Sequence, residues 1–343
     1  MANGRRRRRR KCAAKCHLSG GGINHESPDC MQTPQAVDVF LLLAAVPAAG
    51  LGGAAFLKGV LGVSTWLRLP RLLVATTLAA FATSSPEMAV SSLAALSGKP
   101  GIGLGDALGS NVVNLGLILG AALLFGPLAA RFDEIKRDFL LALAVPVLTL
   151  LLALDGSLSR VDGALLLSLF ALWMGWMIRH AITHRRQAPA SDDPPINAAA
   201  AWLQLVFGMA ALILAGRLFV TGASGIATAL GVHPYVIGAT LVAVGTSLPE
   251  VVTVLLARWR GHDDVGLGTL IGSNLFNGLA VVGVAASIQP IRAPLGELGV
   301  AAAFGVLTVL LIVPRGGTIS RRRGLFLLAA YSAFVFATAA PGF

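Results

Sequence analysis

The chain has 343 residues, of which 55% are hydrophobic and only 13% charged, and its mean hydropathy is +0.77. That balance excludes a soluble globular domain, in which about a quarter of residues carry charge. A formal net charge of +11 would suit a nucleic-acid binder, but the basic residues are sorted between loops rather than gathered on one patch.

In chain order, residues 1–36 come first, with the basic run Arg5 to Arg10, Lys11 and Lys15. No apolar stretch follows that run directly, so it does not read as a signal peptide. The segment reads as a disordered basic extension. A nucleic-acid or lipid-headgroup arm is the alternative. Cys12, Cys16 and Cys30 all fall here beside His17 and His25, at a spacing that matches no strong zinc pattern. Apolar runs then recur with the roughly 20-residue length that spans a bilayer. Spans are expected at 37–60, 70–97, 102–126, 138–155 and 161–182, and again at 200–224, 235–257, 265–288, 292–313 and 323–341. The polar stretch 184–199, with Arg185, Arg186, Asp192, Asp193, Pro194 and Pro195, reads as a cytoplasmic linker between a first repeat at 37–183 and a second at 200–343.

After residue 30, with the N-terminus placed outside, fifteen Lys and Arg fall on the cytoplasmic side, among them Lys58, Arg71, Arg137, Arg258 and Arg321. Four fall outside, namely Lys99, Arg160, Arg217 and Arg292. This positive-inside bias predicts a multi-pass protein of the cell (inner or plasma) membrane with both termini outside the cytoplasm.

Residues 77–114 align without a gap on residues 240–277, at a constant offset of 163 and with 17 identities in 38 positions. The matches include Pro86-Glu87 with Pro249-Glu250 and Gly109-Ser110-Asn111 with Gly272-Ser273-Asn274, which shared apolar composition would not produce. The chain is a duplication. Five spans per copy make the second half enter the membrane from the opposite side, so the expected fold is an all-α membrane protein of two inverted five-helix repeats.

Of 16 Asp and Glu residues, Glu87 and Glu250 are read as the two well inside apolar spans, and they are repeat mates. Each costs roughly 3 kcal/mol at the bilayer centre unless paired, hydrated or bound to a cation, and no span carries a central Lys or Arg. Pro86 and Pro249 lack the N–H that the carbonyls near Ala82 and Gly245 need, so the helices should break there and free carbonyl oxygens. Thr83, Ser84, Thr246 and Ser247 lie three and four residues before the glutamates, on the same helix face. Carboxylate, hydroxyl and carbonyl oxygens suit Ca²⁺ and Na⁺, hard cations that take oxygen ligands. Ser110 and Asn114, like Ser273 and Asn277, are four apart and share a face. Asn111 and Asn274 read as interhelical bridges. Two ionised glutamates neutralise one Ca²⁺ or two Na⁺, so the loaded site is cheap to carry past an apolar barrier and the empty one is not.

The two Thr-Ser-x-Pro-Glu segments and two Gly-Ser-Asn-x-x-Asn segments, at matched spacing in both halves, resemble the cation/calcium exchanger superfamily, in particular the prokaryotic sodium/calcium exchanger branch. The resemblance runs over roughly residues 37–341. It implies that Glu87 and Glu250 are the central Ca²⁺ ligands, shared with Na⁺ sites. It implies that Ala80, Ala243, Thr83 and Thr246 offer backbone carbonyls, that Ser84, Ser247, Ser110 and Ser273 offer Na⁺-site hydroxyls, and that Asn114 and Asn277 complete the central ring. It further implies alternating access by the first and sixth spans sliding across a fixed core. The chain departs from the family pattern at Ala82, where Gly is usual, and at Asn277, where several microbial relatives carry Asp.

The expected activity is therefore secondary antiport of Ca²⁺ against Na⁺, with no enzyme activity, no cofactor and no nucleic-acid partner. H⁺ coupling, or another divalent ion in the same fold, is the alternative, since residues alone do not separate them. An intramembrane enzyme with paired carboxylates and a non-transporting scaffold are the readings from other classes.

Overall fold

The computed structural model describes residues 35–187, 197–230 and 243–339. The basic segment 1–34, most of the expected linker and residues 231–242, which include the start of the expected seventh span, lie outside the described residues. Helices dominate, because a chain this apolar has to satisfy its backbone N–H and C=O groups within each crossing segment. In order, they are α1 (Ala36–Leu67), α2 (Arg71–Thr83), α3 (Ser85–Leu96), α4 (Pro100–Leu124), α5 (Phe132–Leu152) and α6 (Arg160–Gln187). The second half follows with α7 (Ala198–Ala229), α8 (Ala243–Thr246), α9 (Leu248–Trp259), α10 (Asp263–Ile288), α11 (Leu295–Leu311) and α12 (Arg321–Ala339). Five of these are long and apolar enough to cross a membrane by length and composition, namely α1, α4, α6, α7 and α10.

Two of the expected spans are broken rods. The stretch expected at 70–97 divides into α2 and α3 at Ser84, and that expected at 235–257 divides into α8 and α9 at Ser247. Pro86 and Pro249 occupy the first turn of the second piece, where a missing N–H costs nothing. Ser84 and Ser247 take nearly the same turn-like backbone, φ −85° with ψ 5° and φ −84° with ψ 10°. The span expected at 138–155 begins instead at Phe132, six residues earlier, because Asp133 and Glu134 favour a helix N-terminus.

The rods form a core and a flanking pair. In their most apolar stretches, 78% of residues in α4 and 83% in α10 are buried, against 22% in α1 and 33% in α7. The first two are therefore central and the last two peripheral. Phe40, Leu43, Val46 and Leu51 on α1, and Leu203, Val206 and Phe207 on α7, face outward as lipid-facing side chains. The largest helix–helix contact among the described residues joins α1 to α7. It is built on glycine. A Cβ on Gly59 would lie 2.4 Å from the backbone nitrogen of Leu205, and one on Gly208 would lie 2.3 Å from that of Phe56. Close backbone approach is how membrane helices associate without a hydrophobic driving force.

Two short antiparallel clips tie the halves together. β1 (Leu128–Ala129) pairs with β4 (Thr318–Ile319), and β2 (Ser157–Leu158) pairs with β3 (Ile291–Arg292). Each clip joins one strand from each repeat. Beside the first, Arg258 Nη1 contacts both oxygens of Asp263 at 2.8 and 2.7 Å, and its Nη2 donates to the Pro127 carbonyl at 2.8 Å. Asp263 in turn accepts from the backbone N–H of Ala129 at 3.1 Å. Arg258→Ala removes this latch and leaves Asp263 without its cation. The expected loss is about 1–3 kcal/mol, read as a lower melting temperature in detergent, with Asp263→Asn giving a similar loss and the double variant less than their sum.

Candidate cation site

The sequence motifs converge at the centre of the bundle, around the two helix breaks. Glu87 sits in the first turn of α3 and Glu250 in the first turn of α9, with relative exposures of 1% and 0%. Each accepts a hydroxyl across the repeats or across the core. Ser247 Oγ lies 3.5 Å from Glu87 Oε1, and Ser273 Oγ lies 3.2 Å from Glu250 Oε1. Thr83 Oγ1 lies 3.2 Å from Ser273 Oγ, so a hydroxyl from the first half reaches the carboxylate of the second.

The pair Asn111 and Asn274 closes the two halves on one another. Asn111 Nδ2 donates to the Asn274 carbonyl at 3.2 Å, and Asn274 Nδ2 donates to the Asn111 carbonyl at 3.1 Å. These mates make the interhelical bridge that their position suggests. Asn114 Nδ2 donates to Asn274 Oδ1 at 3.1 Å, leaving its own Oδ1 unbonded. Asn114 and Asn277 each fall as the second residue of a widened π turn, Val113–Leu119 in α4 and Phe276–Val281 in α10. Such a turn rotates a side chain away from the regular α-helical position and recurs at functional sites.

Among the described residues, the buried side-chain oxygens and nitrogens without a protein partner are concentrated here. They include Glu87 Oε2, Glu250 Oε2, Ser84 Oγ, Ser110 Oγ, Asn114 Oδ1 and both polar atoms of Asn277. A buried carboxylate oxygen left unbonded is costly, and native structures keep such groups where something else satisfies them. Of the expected ligands, Ala80 is buried and its carbonyl already accepts from the Ser84 N–H at 2.9 Å. Thr83 is buried, and Thr246 follows in α8. Ala243 begins the described part of α8.

One residue escapes the sequence reading. Asp106, in the second turn of α4, is only partly exposed, and its Oδ2 is buried without a hydrogen-bond partner among the described residues. The signal available was spacing, because Asp106, Ser110 and Asn114 recur every four residues on one face of α4.

Two buried carboxylates with hydroxyl and amide groups around them, at the centre of a bundle of apolar helices, mark a multi-pass membrane protein. The chain belongs to the sodium/calcium exchanger protein family, whose model matches residues 37–179 and again residues 200–339. The sodium/calcium exchanger MaX1 of Methanosarcina acetivorans is 28% identical over 342 residues, covering 87% of this chain and 97% of that protein. The inner membrane protein YrbG of Escherichia coli is 35% identical over 234 residues, or 65% of this chain and 71% of its own length. Among solved structures, the sodium-calcium exchanger NCX_Mj soaked with Na⁺ and Sr²⁺ superposes with a TM-score of 0.77 at 28% identity, covering 90% of this chain and 99% of that one.

Proposed function

We propose that this chain is a secondary active antiporter that moves Ca²⁺ against Na⁺ through the site around Glu87 and Glu250. The observation that carries the reading is the cluster of buried, partnerless oxygens contributed by both repeats around two acids. In water those oxygens would be hydrated. At the centre of a helical bundle they are satisfied by a cation with several oxygen ligands, as Ca²⁺ and Na⁺ require. Two carboxylates balance one Ca²⁺ or two Na⁺, so the loaded site can be re-oriented while the charged, unloaded site resists it.

The two halves, 37–183 and 200–343, act as inverted repeats joined by a cytoplasmic linker, in a cell membrane with both termini outside. Their mates meet at the site through the reciprocal Asn111 and Asn274 bridge. Alternating access proceeds by α1 and α7 moving as a unit over the core. The small contact residues favour this. Gly53 of α1 rides over Val252 and Leu256 of α9, and its repeat mate Gly216 of α7 rides over the Gly245 carbonyl oxygen beside the second break. Glycine at both positions keeps α1 and α7 from projecting side chains into the core at these contacts.

The test is uptake of radioactive Ca²⁺ into proteoliposomes loaded with Na⁺, compared with K⁺ loading and with an imposed pH gradient. Uptake that requires internal Na⁺ is the expected outcome. Uptake that follows the pH gradient and ignores Na⁺ would replace Na⁺ by H⁺ as the coupling ion. Folded protein that takes up no Ca²⁺ under any gradient would remove Ca²⁺ as substrate.

A further inference from the structure

We propose that Asp106 adds a third carboxylate on the flank of the glutamate pair, where beside Ser110 it holds one monovalent cation of the Na⁺ type, and that it makes this chain a three-carboxylate carrier. The inference rests on the cation-carrier reading but not on the identity of the divalent ion. Its position follows from helix packing. Helices α3 and α4 run antiparallel, and Ser91 Oγ donates to the Gly103 carbonyl at 3.0 Å. One turn back along α3 from Ser91 is Glu87. One turn on along α4 from Gly103 is Asp106, and the next turn brings Ser110. Asp106 therefore stands on the flank of the site between Glu87 and the end of α4 that begins at Pro100.

Asp106 is only partly exposed, and among the described residues nothing satisfies its buried oxygen. Asp106 Oδ2 and Ser110 Oγ are both buried without a hydrogen-bond partner, and Ser110 is only 1% exposed. No described Lys, Arg or His forms an ion pair with Asp106. A carboxylate oxygen and a hydroxyl on one helix face are hard donors suited to Na⁺. Such a lone acid suits a monovalent ion better than a divalent one, because one negative charge balances one positive charge.

The repeat supplies an internal control. The mate of Asp106 is Thr269, whose hydroxyl is buried and bonded back to the Val265 carbonyl at 2.8 Å, so the second half lacks the subsite. The remaining mates, Ser110 and Ser273, are identical in type yet differ in bonding. Ser273 engages Glu250 and Thr83, whereas Ser110 Oγ is left over. The asymmetry falls on the half that carries the extra acid. In the second half the central ring is completed by the neutral Asn277, and Asp106 restores a third negative charge from a different position.

The experiment compares wild type, Asp106→Asn and Asp106→Glu in two measurements. Purified protein is titrated with NaCl at constant ionic strength and its melting temperature is followed, and Na⁺-driven Ca²⁺ uptake is measured over a range of internal Na⁺. The expected result for Asp106→Asn is about a tenfold higher Na⁺ concentration at half effect in both assays. The Hill slope should fall by about one ion, with less than a threefold change in the Ca²⁺ concentration for half-maximal uptake. Asp106→Glu should recover most of the Na⁺ sensitivity. An unchanged Na⁺ midpoint and slope in Asp106→Asn would overturn the subsite, as would an equal loss for Ca²⁺ and Na⁺. If Asp106→Asn does not fold, Asp106→Ser takes its place with the same expected shift in Na⁺ midpoint, and no shift overturns the proposal. Wild-type protein that is stabilised by Na⁺ but transports no Ca²⁺ would sink the exchanger reading alone, because the melting titration still decides Asp106.

Discussion

Glu87→Gln is expected to abolish Ca²⁺ uptake, and Glu250→Gln to do the same. Each change keeps shape and volume but removes one of two negative charges facing the ion at a site with 1% and 0% exposure for the pair. An uncompensated charge in such surroundings costs about 3–5 kcal/mol, which lowers Ca²⁺ affinity by roughly two to four orders of magnitude. A second, opposite effect separates this account from simple misfolding. Without cation, Glu87 Oε2 and Glu250 Oε2 are buried and unbonded, and the two acids repel each other, so neutralising one should stabilise the unloaded protein. The variant should melt at a higher temperature than wild type in chelator and should lose the stabilisation that Ca²⁺ gives wild type. Uptake at wild-type rates in either variant would remove the glutamates from the site. A variant that melts lower in chelator and still responds to Ca²⁺ would mean that the acids are structural.

Much of this architecture is legible in the chain because the bilayer leaves few choices. Apolar runs of spanning length mark where helices must be, and two acids within them demand a reason. The breaks at Ser84 and Ser247 follow from Pro86 and Pro249, whose missing N–H groups are local chemistry. Geometry created by contact is not legible in the same way. The π turns that hold Asn114 and Asn277 have no residue signature, since each is a register shift absorbed by neighbouring helices. The clips of β1 with β4 and β2 with β3 consist of two residues per strand and form only because the repeats have docked. Asp106 stands close enough to Pro100 to pass for a span-end residue, although its four-residue spacing to Ser110 puts it on the site face. The repeat also reaches further than the matched 38 residues. Gly53, Gly59 and Gly62 of α1 stand at the same offset of 163 from Gly216, Gly222 and Gly225 of α7, so the glycine spacing by itself marks these two helices as a matched pair.

The two Gly-Ser-Asn glycines are identical in sequence, yet Gly272→Ala should be far more damaging than Gly109→Ala. A Cβ on Gly272 would lie 2.2 Å from the Thr76 carbonyl oxygen and 2.6 Å from the Ala80 Cβ. Thr76 belongs to the π turn Ala75–Ala79 that leads directly to Ala80, Thr83 and the break at Ser84, so the backbone must move to make room. Overpacking against backbone costs about 1–3 kcal/mol or more, and the displaced turn leads into Thr83, whose hydroxyl reaches Ser273. Gly272→Ala should therefore lower the melting temperature and leave little Ca²⁺ uptake. Among the described residues, nothing lies within 4 Å of a Cβ on Gly109. Alanine there relieves the entropy cost of a helical glycine, about 0.5–1 kcal/mol, and should leave stability equal or slightly higher.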